Sequence, residues 1–165
     1  MLMEENKKLI DKTVAEGGVY ATLYFDIHTK SKEKAQEIGA GFVETLLKEP
    51  GAVYAIGEID EPIQNEDLYS TTVEVKFLAK SFAHLTNVVA IHSPFSIEII
   101  APDEVHMSLD QAHTLLTNVS TTTSDYKKYI LEKVTSQEEL EKYQRILEQK
   151  AELGKRLLEK KEAEK

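Results

Sequence analysis

Apolar and polar positions change period several times along the chain, and each change marks an element. Leu2, Leu9, Ile10 and Val14 fall at helical spacing and stop at Gly17-Gly18, which predicts a helix over residues 1–17. Val19, Ala21, Leu23, Phe25 and Ile27 then alternate with Tyr20, Thr22, Tyr24, Asp26 and His28, the period of a strand with one covered face. Ser31 is placed to cap a helix whose inward stripe is Ala35, Ile38, Phe42 and Leu46, ended by Pro50-Gly51. Strands are predicted over 52–59 and 71–79, the latter with Val73, Val75, Phe77 and Ala79 on one face, joined by a polar loop holding Pro62 and Asn65. Ser81 opens a short helix that buries Phe82, Leu85 and Val89, Ser93-Pro94 breaks it, and Phe95 to Ile100 makes a last strand before Pro102.

The rest is helical. Ser108 and Gln111 form a capping box ahead of Leu109, Ala112, Leu115, Leu116 and Val119. A Ser/Thr-rich hinge is expected at 120–124, followed by a helix with Tyr126, Ile130 and Val134. Thr135/Glu138 and Ser136/Glu139 are overlapping capping boxes for a final helix with the stripe Leu140, Tyr143, Leu147, Ala151, Gly154 and Leu158. A helix of that length needs a surface for its stripe, either the open face of the sheet or another subunit.

The order strand, helix, strand, strand, helix, strand over residues 18–102 resembles the ferredoxin-like βαββαβ plait. The resemblance implies an antiparallel sheet in the order 4-1-3-2 with both helices on one face. The expected organisation is therefore α+β: an N-terminal helix (1–17), the plait (18–102), a helical extension packed on it (103–134) and a long amphipathic C-terminal helix (135–165). Three plait families give sharper comparisons. Heavy-metal-associated plaits place two cysteines in the first loop, and this chain has none. Acylphosphatase-like plaits use an arginine there, whereas Arg145 and Arg156 both fall in the last helix. Regulatory ACT domains have no such strict requirement, but they show a glycine in the loop that runs here from Asp26 to Lys32 without one.

The alternation assigns a second sheet face to Tyr20, Thr22, Tyr24, Thr72, Glu74, Lys76, Leu78, Ser96, Glu98 and Ile100. That mixture points to partial cover by helices or by a second copy. It does not suit base stacking, because the third strand has no outward aromatic and Glu74 and Glu98 repel phosphates.

Composition narrows the classes. With 29 acidic against 20 basic residues the formal charge is −9, which argues against nucleic acid and anionic membranes as partners. The acidity is local: Glu49, Glu58, Asp60, Glu61, Glu66, Asp67 and Glu74 stand in a stretch from Glu49 to Val75 that has no basic residue. The zero cysteine count removes disulfides, thiolate metal sites and cysteine nucleophiles. No signal-peptide pattern opens the chain, and the uncharged stretch 81–97 is too short and too interrupted to span a membrane, so a soluble cytoplasmic protein is expected. Basic residues that are nearly all lysine, together with many glutamates, fit a thermophile's surface.

Plait topology gathers the candidate chemistry at one sheet edge. His28, Lys30, Ser31 and Lys32 lie where the first strand meets its helix, His92 and Ser93 where the second helix ends, and Asp60, Glu61, Glu66 and Asp67 in the hairpin. A helix start flanked by lysines suits an anion, and two histidines among carboxylates suit a divalent cation. Solvated lysines, a capping histidine and an acidic edge that discourages strand pairing account for the same residues without a ligand. His106, Asp110 and His113, spaced by four and three, form a second candidate metal set, although Ser108 as N-cap would leave His106 off the helix. No nucleophile elbow, phosphate loop, dinucleotide fingerprint or His-Glu-x-x-His pattern is present, and no cofactor is indicated. The expected role is a non-enzymatic, self-associating ligand-binding or regulatory module, associating through the open sheet face and the terminal helix. A small molecule, a cation or a basic protein is the expected partner. The alternative is an enzyme or metal-dependent protein working at the His28/His92 edge.

Overall fold

A computed structural model describes residues 2–134 and 136–163. It is a mixed α+β structure: the described residues form five helices and one open antiparallel sheet of five strands. In chain order the elements are α1 (Leu2–Ala15), β1 (Val19–Thr29), α2 (Lys32–Leu47), β2 (Ala52–Ile59), β3 (Ile63–Asn65), β4 (Leu68–Ala79), α3 (Phe82–His92), β5 (Ser96–Ala101), α4 (Leu109–Val134) and α5 (Gln137–Ala163). The four longer strands lie in the order β2-β4-β1-β5, and β3 extends the hairpin by pairing with β4. No helix among the described residues is long and apolar enough to cross a membrane.

The core follows from the two-residue period of the strands. Val19, Ala21, Leu23 and Phe25 of β1 stand beside Ala79, Phe77, Val75 and Val73 of β4, all buried. Leu46 of α2 and Leu85 and Val88 of α3 close the layer from above. Burying side chains of this size stabilises the fold by about 1.5–3 kcal/mol each. Phe42 of α2 meets Phe25 edge to face with ring centroids 4.6 Å apart, a pairing favoured by the ring quadrupoles.

Two glycines draw α2 towards one side of the sheet. A β-carbon at Gly39 would sit 2.9 Å from Ile59 Cδ1, and one at Gly57 would overlap Cγ2 of Val43. With hydrogens there instead, α2 packs closely on β2 and reaches β1 and β4, while α3 packs on β4. The helix layer therefore leaves the opposite edge uncovered. On β5 the residues facing the helices, Ile97 and Ile99, are 42% and 45% exposed, whereas their β1 partners Leu23 and Ala21 are fully buried.

Several boundaries depart from expectation. The loop after β2 contains β3, and β4 begins at Leu68 rather than at residue 71, because Ile63, Gln64 and Asn65 pair with Ser70, Tyr69 and Leu68. Ile38, expected in the inward stripe of α2, is exposed; Ala35, Gly39 and Leu46 are the buried residues. The expected break in the helix at 120–124 is absent, since α4 runs from Leu109 to Val134. Its Ser/Thr run contains neither glycine nor proline, so the i→i−4 ladder is not interrupted. The capping box at Ser108 is formed. Ser108 N donates to Gln111 Oε1 at 2.8 Å while Gln111 N donates to Ser108 Oγ at 3.2 Å; at Ser136 the reach-back half is present, Ser136 N donating to Glu139 Oε2 at 3.4 Å and its hydroxyl to the same oxygen at 3.0 Å. Thr135, the alternative cap, lies outside the described residues, as do the side chains of Leu140, Gly154 and Leu158.

The chain divides into two compact units, Met1–Ser120 and Thr121–Lys165, and the division falls inside α4. In the first unit α4 has a half-buried stripe, Ala112, Leu115 and Val119, while Leu109 and Leu116 are exposed. In the second unit ion pairs one turn apart, Glu138–Lys142 at 3.2 Å and Glu152–Arg156 at 2.6 Å, line the surface of α5.

Candidate ligand-binding site

The face of the sheet turned away from α2 and α3 becomes polar towards the end of β1. Asp26 and His28 project there by alternation, and the register sets Thr72 and Ser70 of β4 beside them. His28 Nδ1 and Ser70 Oγ are 2.8 Å apart, and Thr72 Oγ1 donates to Asp26 Oδ1 at 3.3 Å. On the far side of β4, β3 places Ile63 opposite Ser70. Thr71 Oγ1 holds the hairpin by donating to the carbonyl of Asp60 at 2.6 Å. These elements enclose an open groove of about 500 Å³ whose polar lining includes Asp26, His28, Asp60, Glu61, Gln64 and Ser70.

Lys32 in the first turn of α2 reaches the hairpin, its Nζ 2.6 Å from Glu61 Oε1. That hydrogen bond, reinforced by the charge of each partner, holds the Glu61 carboxyl below its usual range and raises the Lys32 ammonium above its own. Ser31 caps α2 by accepting from Lys34 N at 3.2 Å, and its own amide donates to Thr29 Oγ1 at 3.1 Å. Lys30 is exposed beside this cap. Glu66 and Asp67 form the exposed turn between β3 and β4, where Glu66 takes the left-handed conformation at φ 54°. Further along the same face, desolvation, and after it the carboxylates of Glu74 and Glu98, push the Tyr24 hydroxyl up.

His92 belongs to the other side of the sheet. Its Nε2 is 2.7 Å from Glu49 Oε1 at the end of α2, and its ring lies edge-on to Phe42 at 5.6 Å. With Ser93 it lines a smaller hollow of about 300 Å³ whose walls are Phe25, Ile38, Phe42 and Phe95. The edge thus gathers His28, Asp60 and Glu61 into one groove, with Lys32 bound to Glu61, and keeps His92 apart, on the helix side. Among the described residues no three His, Asp or Glu side chains stand close enough to share a metal ion. His106 pairs with Glu104 at 3.2 Å ahead of α4, so it does not share a helix face with Asp110 and His113.

Ser70, Asp26, Thr72 and Gln64 complete the groove, although no motif marks them. The signal available for the first three was parity: in an antiparallel pair the polar even residues of β1 and β4 must share one face. Nothing in the sequence points from His92 to Glu49, which is 43 residues away.

Fold and groove define the class, an α+β sheet protein with a carboxylate-rich cleft at one end of the sheet face turned away from α2 and α3. The chain belongs to the MJ0538 family, whose model matches residues 20–152, from the second residue of β1 into α5. No curated protein and no solved structure matches it.

Proposed function

We propose that the protein is a non-enzymatic, self-associating ligand-binding module built on a ferredoxin-like plait. The strand order β2-β4-β1-β5, with α2 and α3 each joining two strands of the sheet, supports the plait. Self-association rests on one observation. Within the unit Thr121–Lys165, α4 carries Tyr126, Ile130 and Val134 in the exposed class, and α5 adds Ile146, Leu147 and Leu153. Long helices owe their stability in proteins to burying an apolar stripe, and exposed apolar surface of this extent marks an interaction site.

The groove at His28 is the ligand site of this reading. Asp26, Asp60 and Glu61 in the groove lining favour a cationic group, Ile63 supplies an apolar wall, and the His28–Ser70 pair offers hydrogen bonds. Native mass spectrometry of the gently purified full chain tests both halves of the proposal. It predicts an assembly of more than one chain that retains a small basic molecule, lost in His28→Ala. A bare single chain contradicts it.

A further inference from the structure

We infer that two copies of the chain join β5 to β5 about a two-fold axis, extending the sheet across both. The inference rests on the self-association proposed above and assigns it a surface that the helices do not supply. β5 ends the strand order and presents an unpaired edge. Because Gly39 and Gly57 seat α2 over β2, the helix-side residues of β5 lie open, and the neighbouring Phe95 is 59% exposed. Monomeric proteins guard such edges with lysine, proline or a covering helix. Here the only Asp, Glu, Lys or Arg residue between Ser81 and Pro102 is Glu98.

The occupant follows from charge and register. The seven acidic residues between Glu49 and Val75 belong to the end of α2, β2, the hairpin and β4, away from β5 in the strand order. Joining copies through β5 gives the order β2-β4-β1-β5:β5-β1-β4-β2, which sets the two acidic borders as far apart as the sheet allows. Pairing through β2 would instead bring them together. A two-fold axis also makes the contact isologous, so each residue opposes one of the same parity. Centring it on Glu98 would oppose two carboxylates, which is destabilising. Centring it on Ile99 would leave Glu98 against Ile100, next to the irregularity in the β1–β5 register. Centring it on Ile97 opposes Ile97 to its copy, Ser96 to Glu98 and Phe95 to Ile99. The apolar residues then meet on the helix side, and each carboxylate faces a hydroxyl.

The test uses the full chain and Ile97→Lys, which sets two ammonium groups opposite each other on a half-exposed position. Sedimentation velocity should show the wild type associating and the variant dissociating, with a dissociation constant raised at least about tenfold and an unchanged circular dichroism spectrum. If the variant associates as the wild type does, β5 pairing is overturned while self-association stands. If the wild type is a monomer, both fall. To separate loss of pairing from a perturbed β5, Ile97→Cys provides a second reading in a chain free of other cysteines. Mild oxidation should link it into a covalent dimer and leave Ile63→Cys, on the hairpin, unlinked. Absence of a link at residue 97 in an associated chain overturns the pairing.

Discussion

Gly57 of β2 lies directly beneath Val43 of α2, so close that a β-carbon on the glycine would overlap the Cγ2 methyl of the valine. This contact fixes where the helix layer sits. It brings α2 over β2 and β4, completes the core around Leu46 and leaves β5 without cover.

Gly57→Ala should therefore overpack the α2–β2 contact and destabilise the fold by about 1–3 kcal/mol. Urea unfolding measures this. Combining it with Val43→Ala, which removes the obstructing methyl groups, should recover part of the loss, whereas strict additivity would show that the two residues do not share the contact.

His92 and Glu49 form a half-buried hydrogen-bonded pair at 2.7 Å that ties the end of α3 to the end of α2. His92→Ala should cost about 1.5–3 kcal/mol, because a bond to a charged group is lost and a carboxylate is left without its partner. His92→Gln, which retains a donor, should cost less. Equal losses in the two variants would indicate that only packing against Phe42 matters.

The Lys32–Glu61 pair predicts a pH dependence of definite sign. Lys32 holds the Glu61 pKa below its unfolded value, so the contribution of Glu61 is present above the unfolded carboxylate pKa and is lost as pH falls through the lowered folded pKa. The Lys32 pKa is raised, so its contribution is full below the unfolded lysine pKa and is lost as pH rises through the folded one. NMR titration of the side-chain carboxyls should find Glu61 shifted down, and Lys32→Met should return it to the usual range. An unchanged Glu61 in that variant would contradict the assignment.

Much of the fold is legible in the chain because its devices are local. The alternation of β1 and β4, and the caps at Ser31, Ser81 and Ser108, depend on residues within a few positions of one another. The Ser/Thr run at 120–124 carries a misleading signal, because serine and threonine favour turns, yet without glycine or proline they do not stop a helix. β3 is not legible in the chain, because three residues after Pro62 have no period to read. Of the site, the cluster of His28, Asp60, Glu61 and Lys32 follows from topology, whereas the separation of His92 does not. That separation depends on α2 being drawn over β2, where Glu49 can take the imidazole, and the glycines responsible carry no periodic signal.

The groove yields a prediction that separates binding from folding. His28 is exposed and bonds Ser70 on an accessible face, so His28→Ala should change stability by no more than about 0.5 kcal/mol. It should nevertheless weaken retention of a basic small molecule, read by titration calorimetry with a diamine as probe. Unaltered diamine binding in His28→Ala, or none in the wild type, would remove the groove as the ligand site.

Self-association through surfaces that the fold leaves uncovered is the central claim, and the molar mass of the full chain in solution tests it most directly. Sedimentation equilibrium across a range of concentrations should give a mass above that of one chain for the wild type, and a smaller mass for Ile97→Lys at the same concentrations. A wild-type mass of one chain at every concentration would contradict it.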